Sequence, residues 1–289
     1  MGKIMHFKKY LYIVAAVSSL FFSSALFAET LGELVAHALQ GKHREAVHVL
    51  RDEYRHPKET LEFFGLEPTM SVVEIWPSKG WYTEILAPVL HDYGIYYAAG
   101  FALSADRTPD WRRQMQKEFA DKLAKHPEVY DHVVVTELSI PERTTIAPPG
   151  TVDMVLTFRN VHNWMKGGYT QPMLETFYRT LAPGGILGVV EHRAKPKTGF
   201  EDMVKSGYVT EEFIIQLASA VGFEFIGSSE INANPDDSKD HPEGVWTLPP
   251  TLRYCKGLKD GASKDSCINK YTAIGESDRM TLKFRKPLR

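Results

Sequence analysis

The stretch Glu74-Ile75-Trp76-Pro77-Ser78-Lys79-Gly80-Trp81-Tyr82-Thr83 links an apolar run to an amphipathic one, and its reading decides the fold. Val72-Val73-Glu74-Ile75 has the length and β-branched content of a strand, and Tyr82 to Val89 has helical spacing. A turn between a strand and a helix lets backbone N–H groups at the helix start meet the polar tail of a ligand. A carboxylate at the strand end can receive amine or hydroxyl donors. Such a turn needs small residues, so that the ligand can approach the backbone. Gly80 is its one glycine, and Trp76 and Ser78 stand where a nucleotide loop carries glycine. The stretch therefore reads either as a nucleotide-binding turn or as a tight strand-to-helix connection.

Working outward, short apolar runs alternate with helical patterns. Strands are expected at 94–99, 132–136, 152–158, 186–191, 223–230 and 280–285. Helices are expected at 109–124, with Trp111, Met115, Phe119 and Leu123 on one face, at 172–181 and at 211–221. This alternation implies an α/β fold with a mostly parallel, twisted sheet and helices on both faces. Before it, Leu31 to Tyr54 has helical spacing broken at Gly41, so residues 29–70 read as an N-terminal helical cap on a domain spanning 71–289. Asn232 to Pro250 is polar and rich in Pro, Asp and Asn, a lid or a rigid loop.

The first 28 residues carry Lys3, Lys8 and Lys9, then an uncharged run, then small residues before Glu29. This is the layout of a secretory signal peptide cleaved after Ala28, with an uncleaved anchor as the alternative. Cleavage implies a periplasmic or secreted protein with no stable membrane insertion. The net charge of -2 would fall by three lysines to -5, which offers no basic field for nucleic acid. In an exported chain the two cysteines, Cys255 and Cys267, read as one disulfide closing a short loop in the tail.

Three further stretches resemble class I S-adenosylmethionine-dependent methyltransferases in order and spacing. They are Val152 to Trp164, Leu181-Ala-Pro-Gly-Gly185 into Glu191, and Leu217 to Phe223. A closer resemblance is to a group of exported or periplasmic predicted methyltransferases of bacteria. It rests on residues 51–57, 73–88, 159–164, 229–235, 240–250 and 276–282 and covers nearly all of the mature chain. The resemblance implies a Rossmann-like class I methyltransferase fold and S-adenosyl-L-methionine as cofactor, with a small-molecule acceptor. In that group Trp76 is usual, whereas Ser78-Lys79 stands where Gly-Gly is usual. Side chains there would crowd the methionine tail or demand φ > 0 of a non-glycine, and Lys79 would bring a positive charge toward the sulfonium.

The resemblance places the cofactor against Glu74, Trp76, Pro77, Ser78, Gly80, Trp81, Tyr82 and Asn160, with Glu137 on the adenine edge. Class I enzymes usually carry a carboxylate at the end of the second strand for the ribose. Tyr96 to Phe101 has none, and Asp106 lies several residues on. Methyl transfer requires alignment in a dry pocket and, for a protonated acceptor, a base. His162 is the candidate base, with Trp164 as an apolar wall. Glu191 and His192 read either as a second acid-base pair or as part of an ion pair with Arg193. Asn232, Asn234, His241 and Trp246 would contact substrate from the polar segment. His162, His192 and His241 lack metal-ligand spacing, so no metal site is expected. An exported binding protein that keeps the fold without catalysis is the competing reading.

Overall fold

A computed structural model describes Gly2, residues 29–103 and residues 108–288. The expected signal peptide and Asp106 lie outside the described residues. Seven strands form one sheet: β1 (Ser71–Ile75), β2 (Ile95–Phe101), β3 (Val133–Leu138), β4 (Val152–Phe158), β5 (Leu181–His192), β6 (Glu224–Ser229) and β7 (Arg279–Arg285). Their order is β3-β2-β1-β4-β5-β7-β6. The first five run parallel, and β7 is antiparallel to both β5 and β6.

Side chains of β1 alternate between two cores, as the period of a strand requires. Val73 and Ile75 join Trp164, Met173, Phe177 and Ile214 on one face; Val72 joins Ile85, Leu86, Leu61 and Phe64 on the other. The sheet is buried on both faces, which is why its central strands read as near-continuous apolar runs. At Gly188 of β5 the cap packs closely on the sheet. A Cβ there would lie 2.7 Å from the Leu156 side chain and 2.9 Å from the Phe64 ring.

The cap differs from the single break expected at Gly41. It forms four short helices, Leu31–Leu39, Ala46–Val49, Asp52–Arg55 and Pro57–Phe64. Thr30 and Glu33 close a capping box on the first, each side chain receiving the other's backbone N–H. Glu84, on the helix Thr83–Leu90 that follows the β1 turn, ties the cap down. Its buried carboxylate meets His48 at 2.8 Å, Arg44 at 3.4 Å and the Lys122 ammonium.

The polar segment is an ordered strap rather than an open lid. Asp237, buried within it, accepts from the Tyr208 hydroxyl at 2.9 Å and from the backbone N–H groups of Lys239 and Asp278 at 2.9 and 2.8 Å. Cys255 and Cys267 form a disulfide that joins the short helix Arg253–Lys256 to the helix Ala262–Ile274. Among the described residues no helix is long and apolar enough to cross a membrane.

Candidate active site at the strand ends

The end of β4 carries the groups with chemical potential. Arg159 leaves the strand at φ 60, and Asn160 then opens the helix Val161–Gly167. The Asn160 amide donates to the Ile75 carbonyl at 2.9 Å and to Thr157 Oγ1 at 3.2 Å, which pins the end of β4 to the end of β1. His162 sits in the first helical turn. Its backbone N–H donates to Glu191 Oε2 at 3.3 Å, and its Nδ1 lies 3.0 Å from Glu191 Oε1. Glu191, at the end of the neighbouring β5, is fully buried and also accepts from the His192 N–H at 2.8 Å. A carboxylate on Nδ1 puts the proton there and leaves Nε2 as the basic nitrogen. Glu191 thus pairs with His162 and not with Arg193, which is taken by Glu230, Asp278 and Glu211.

His192 stands beside this pair, its ring 5.2 Å from that of His162 and its Nδ1 2.5 Å from Ser277 Oγ. Burial, with the charges of His162, Arg159, Arg279 and Arg55 around it, pushes the His192 imidazole well below its ordinary pKa, so it stays neutral.

These groups border a cavity of about 360 Å³. Its walls include Trp76, Ser78, Phe101, Trp111, Arg112, Phe158, Arg159, Asn160, His162 and His192. Val245, Trp246 and Pro249 of the strap also line it. Trp246 meets the His162 ring edge-on at 6.0 Å and is covered by the Arg253 guanidinium at 4.8 Å. Trp76, Ser78 and Arg159 all line this cavity, and all three hold positive φ as non-glycine residues, at 47, 55 and 60. Strained backbone of this kind costs about 1–3 kcal/mol per residue and clusters where function requires it. The demand for φ > 0 expected at Ser78 is therefore present.

The other residues singled out in the sequence lie elsewhere. The Glu74 carboxyl is buried between Thr83 Oγ1, at 3.2 Å, and the Tyr96 hydroxyl, and burial raises it to about 7. The Trp81 indole donates to the His48 carbonyl at 2.8 Å and packs under Arg55, so it faces the cap. Tyr82 stacks on Phe158 at 3.5 Å, in the core shared with the cap. Gly80 holds φ 76 where the turn meets the helix, and neither it nor Pro77 lines the cavity. Lys79 does not approach the cavity, because its exposed ammonium meets Glu118 at 3.6 Å. Glu137 accepts from the Leu103 N–H at 2.8 Å and lies 3.7 Å from Arg143, outside the cavity.

Trp164 is fully buried against Trp76 and Phe177, a core residue rather than a cavity wall. Asn232 and Asn234 are structural: the first donates to Thr60 and Thr281 hydroxyls, the second to the Ile274 and Glu276 carbonyls. His241 binds Asp237 at 2.8 Å and lines an adjoining groove that shares His162, Asn163 and Trp246 with this cavity.

Sequence reading missed the arginines. Arg51, Arg55 and Arg279 converge on Glu276 at 2.5, 3.2 and 3.1 Å, and Arg112 lies 4.8 Å over both Trp76 and Phe101. It also missed that His162, Glu191 and His192 bring ligand atoms within 4.8 Å of one another, as a metal site would. The positive field of the arginines opposes a divalent cation there.

No protein-family model and no curated relative matches this chain. Solved structures do. The [4+2]-cyclase SpnF is 16% identical with a TM-score of 0.55, over 90% of this chain and 93% of that one. A protein from Galdieria sulphuraria described as a sarcosine dimethylglycine methyltransferase is 12% identical with a TM-score of 0.54, over 85% and 88%. The chain has the class I methyltransferase fold. A cyclase among the matches shows that this architecture is not tied to one reaction.

Proposed function

We propose that this protein is an S-adenosylmethionine-dependent methyltransferase acting on a small molecule, exported to the periplasm or secreted. The observation that carries the reading is the His162–Glu191 pair on a cavity at the carboxyl ends of the strands, where open α/β sheets bind ligands. His162 Nε2 takes the proton of the acceptor's nucleophile. Glu191 fixes the ring and stabilises the imidazolium that forms. Trp246 of the strap lies edge-on to the His162 ring and borders the same cavity.

The cavity fits the cofactor in size, since small-molecule sites hold about 300–1,000 Å³. Trp76 and Phe101 offer apolar surface for a base, and Ser78 and Asn160 offer hydrogen-bonding groups at the turn. When bound, S-adenosylmethionine supplies an electrophilic methyl group. Calorimetric titration of the mature protein with S-adenosylmethionine and S-adenosylhomocysteine tests this. Saturable heat supports the reading, and no heat at millimolar ligand with a folded protein overturns it.

One observation favours a second reading, a non-catalytic binding protein that keeps the fold. Among the described residues Glu276 is the one acidic residue on the cavity wall, and its oxygens are held by Arg51, Arg55 and Arg279 rather than free for a ribose. That reading predicts a ligand in the same cavity and no methyl transfer.

A further inference from the structure

The interior behind the cavity holds more cations than anions. Arg51, Arg55, Arg159 and Arg279 surround a single carboxylate, Glu276. Burial alone would raise the Glu276 carboxyl, yet the four guanidinium groups hold it well below the usual carboxylate range. Three of them already occupy its two oxygens. Other carboxylates nearby are committed as well: Asp52 to Arg44, Asp278 to Arg193 and Lys239, and Glu191 to His162. Arg55 and Arg51 each keep one buried Nη2 atom without a hydrogen-bond partner.

Arg159 is the member of this cluster that reaches the cavity. Among the described residues its guanidinium has no ion pair and no hydrogen bond; its backbone N–H alone is bonded, to the Val190 carbonyl at 2.7 Å. Beside it lies a small cavity lined by Arg55, Arg279, Tyr82, Phe158, Val190 and Asn232, with no acidic residue among the described ones. Burial and the charges of Arg51 and Arg279 pull the Arg159 guanidinium down to about 10, which leaves it charged at neutral pH. Arg159 is half-buried, so its guanidinium is open to the cavity, and a planar guanidinium suits a carboxylate or phosphate in two-pronged contact. The cavity also carries the rings of Trp76, Phe101 and Trp111, with a second guanidinium, that of Arg112, lying over them at 4.8, 4.8 and 5.1 Å.

We infer that the acceptor taken by this cavity is an anion, a small carboxylic acid or phosphate ester with an aromatic or apolar body, whose acidic group docks on Arg159. Naming this ligand the acceptor rests on the methyl-transfer reading; the anion site itself does not. The charge places the acid at the arginine and the body toward Trp246, which meets the His162 ring edge-on, leaving Trp76 and Phe101 to the cofactor.

The test is calorimetric, on the mature protein, with indoleacetate and its neutral amide, indoleacetamide, as probes. The wild type should bind the acid about 10- to 100-fold more tightly than the amide. Arg159→Gln should erase that preference without weakening S-adenosylhomocysteine, and Arg159→Lys should keep part of it. Arg159→Gln should also unfold no earlier than wild type, because it removes repulsion within the cluster. Equal binding of acid and amide, no binding of either at millimolar concentration, or a preference that survives Arg159→Gln would each overturn the proposal. A loss of S-adenosylhomocysteine binding with the acid preference intact would assign Arg159 to the cofactor and overturn it too. If the acid preference holds while S-adenosylhomocysteine gives no heat in any variant, methyl transfer fails and the anion site stands.

Discussion

The turn after β1 and the rim at the ends of β4 and β5 lie side by side, yet most of their side chains face opposite ways. In the turn, Glu74, Trp81 and Tyr82 look into the protein, toward Tyr96 and the N-terminal cap. Trp76 and Ser78 are its members on the cavity wall. At the rim, Arg159, Asn160, His162 and His192 all line the cavity, and Glu191 stands directly behind His162. The difference teaches that a motif can locate a fold while the chemistry is carried by its neighbours. The turn is anchored by buried polar pairs, and the rim exposes groups that those anchors hold in place.

The largest expected effect is at the rim. His162→Gln should lower methyl transfer about 10²–10⁴-fold while leaving S-adenosylhomocysteine affinity unchanged, read by product release with an acceptor that supports turnover. Turnover within about twofold of wild type would remove His162 as the base and weaken the contrast.

Next comes the anchor of the turn. Glu84→Ala leaves Lys122, Arg44 and His48 without their buried carboxylate and should cost about 3–5 kcal/mol in urea unfolding. A loss under about 1 kcal/mol would mean the cap is held by its apolar contacts instead.

Glu74 sharpens the comparison through pH. Its folded pKa of about 7 lies above the ordinary carboxyl value, so the neutral form is the stabilised one. That contribution is fully present below the unfolded pKa and is lost as pH rises through the folded value. Wild type should lose roughly 3 kcal/mol between about pH 4 and about pH 8 through this group, and Glu74→Gln should not. Parallel stability curves for the two proteins would show that Glu74 is ionised throughout.

Ser78→Gly should give the smallest change. Relief of a left-handed non-glycine residue is offset in part by glycine's greater freedom when unfolded, leaving a gain of about 1 kcal/mol. Cofactor affinity should tighten less than tenfold. A loss of stability would show that the Ser78 hydroxyl, 3.3 Å from the Trp76 carbonyl, outweighs the backbone strain.

Strands β1 and β4 were legible because burial on both faces makes them mostly apolar, and the observed Val152–Phe158 and Glu211–Val221 coincide with the expected limits. The helix Ala262–Ile274 was not legible. It buries Tyr271 alone and shows no apolar stripe, and the disulfide at Cys267 supplies a constraint that periodicity cannot reveal. His162 and Glu191 were each visible as candidates, but their pairing depends on β4 lying beside β5, across 29 residues of sequence. The arginine cluster draws on the cap, the end of β4 and the tail, with Arg51 and Glu276 separated by 225 residues, so no local spacing announces it. Trp111 was read on one face of its helix with Met115, Phe119 and Leu123; it is 56% exposed and lines the cavity.

The most direct test of the contrast between turn and rim is S-adenosylhomocysteine affinity in two variants, with thermal unfolding confirming that both are folded. Asn160→Ala at the rim should weaken binding about tenfold or more, and Glu74→Gln in the turn should leave it within about twofold. The reverse pattern, with Glu74→Gln losing the ligand and Asn160→Ala keeping it, would contradict the account.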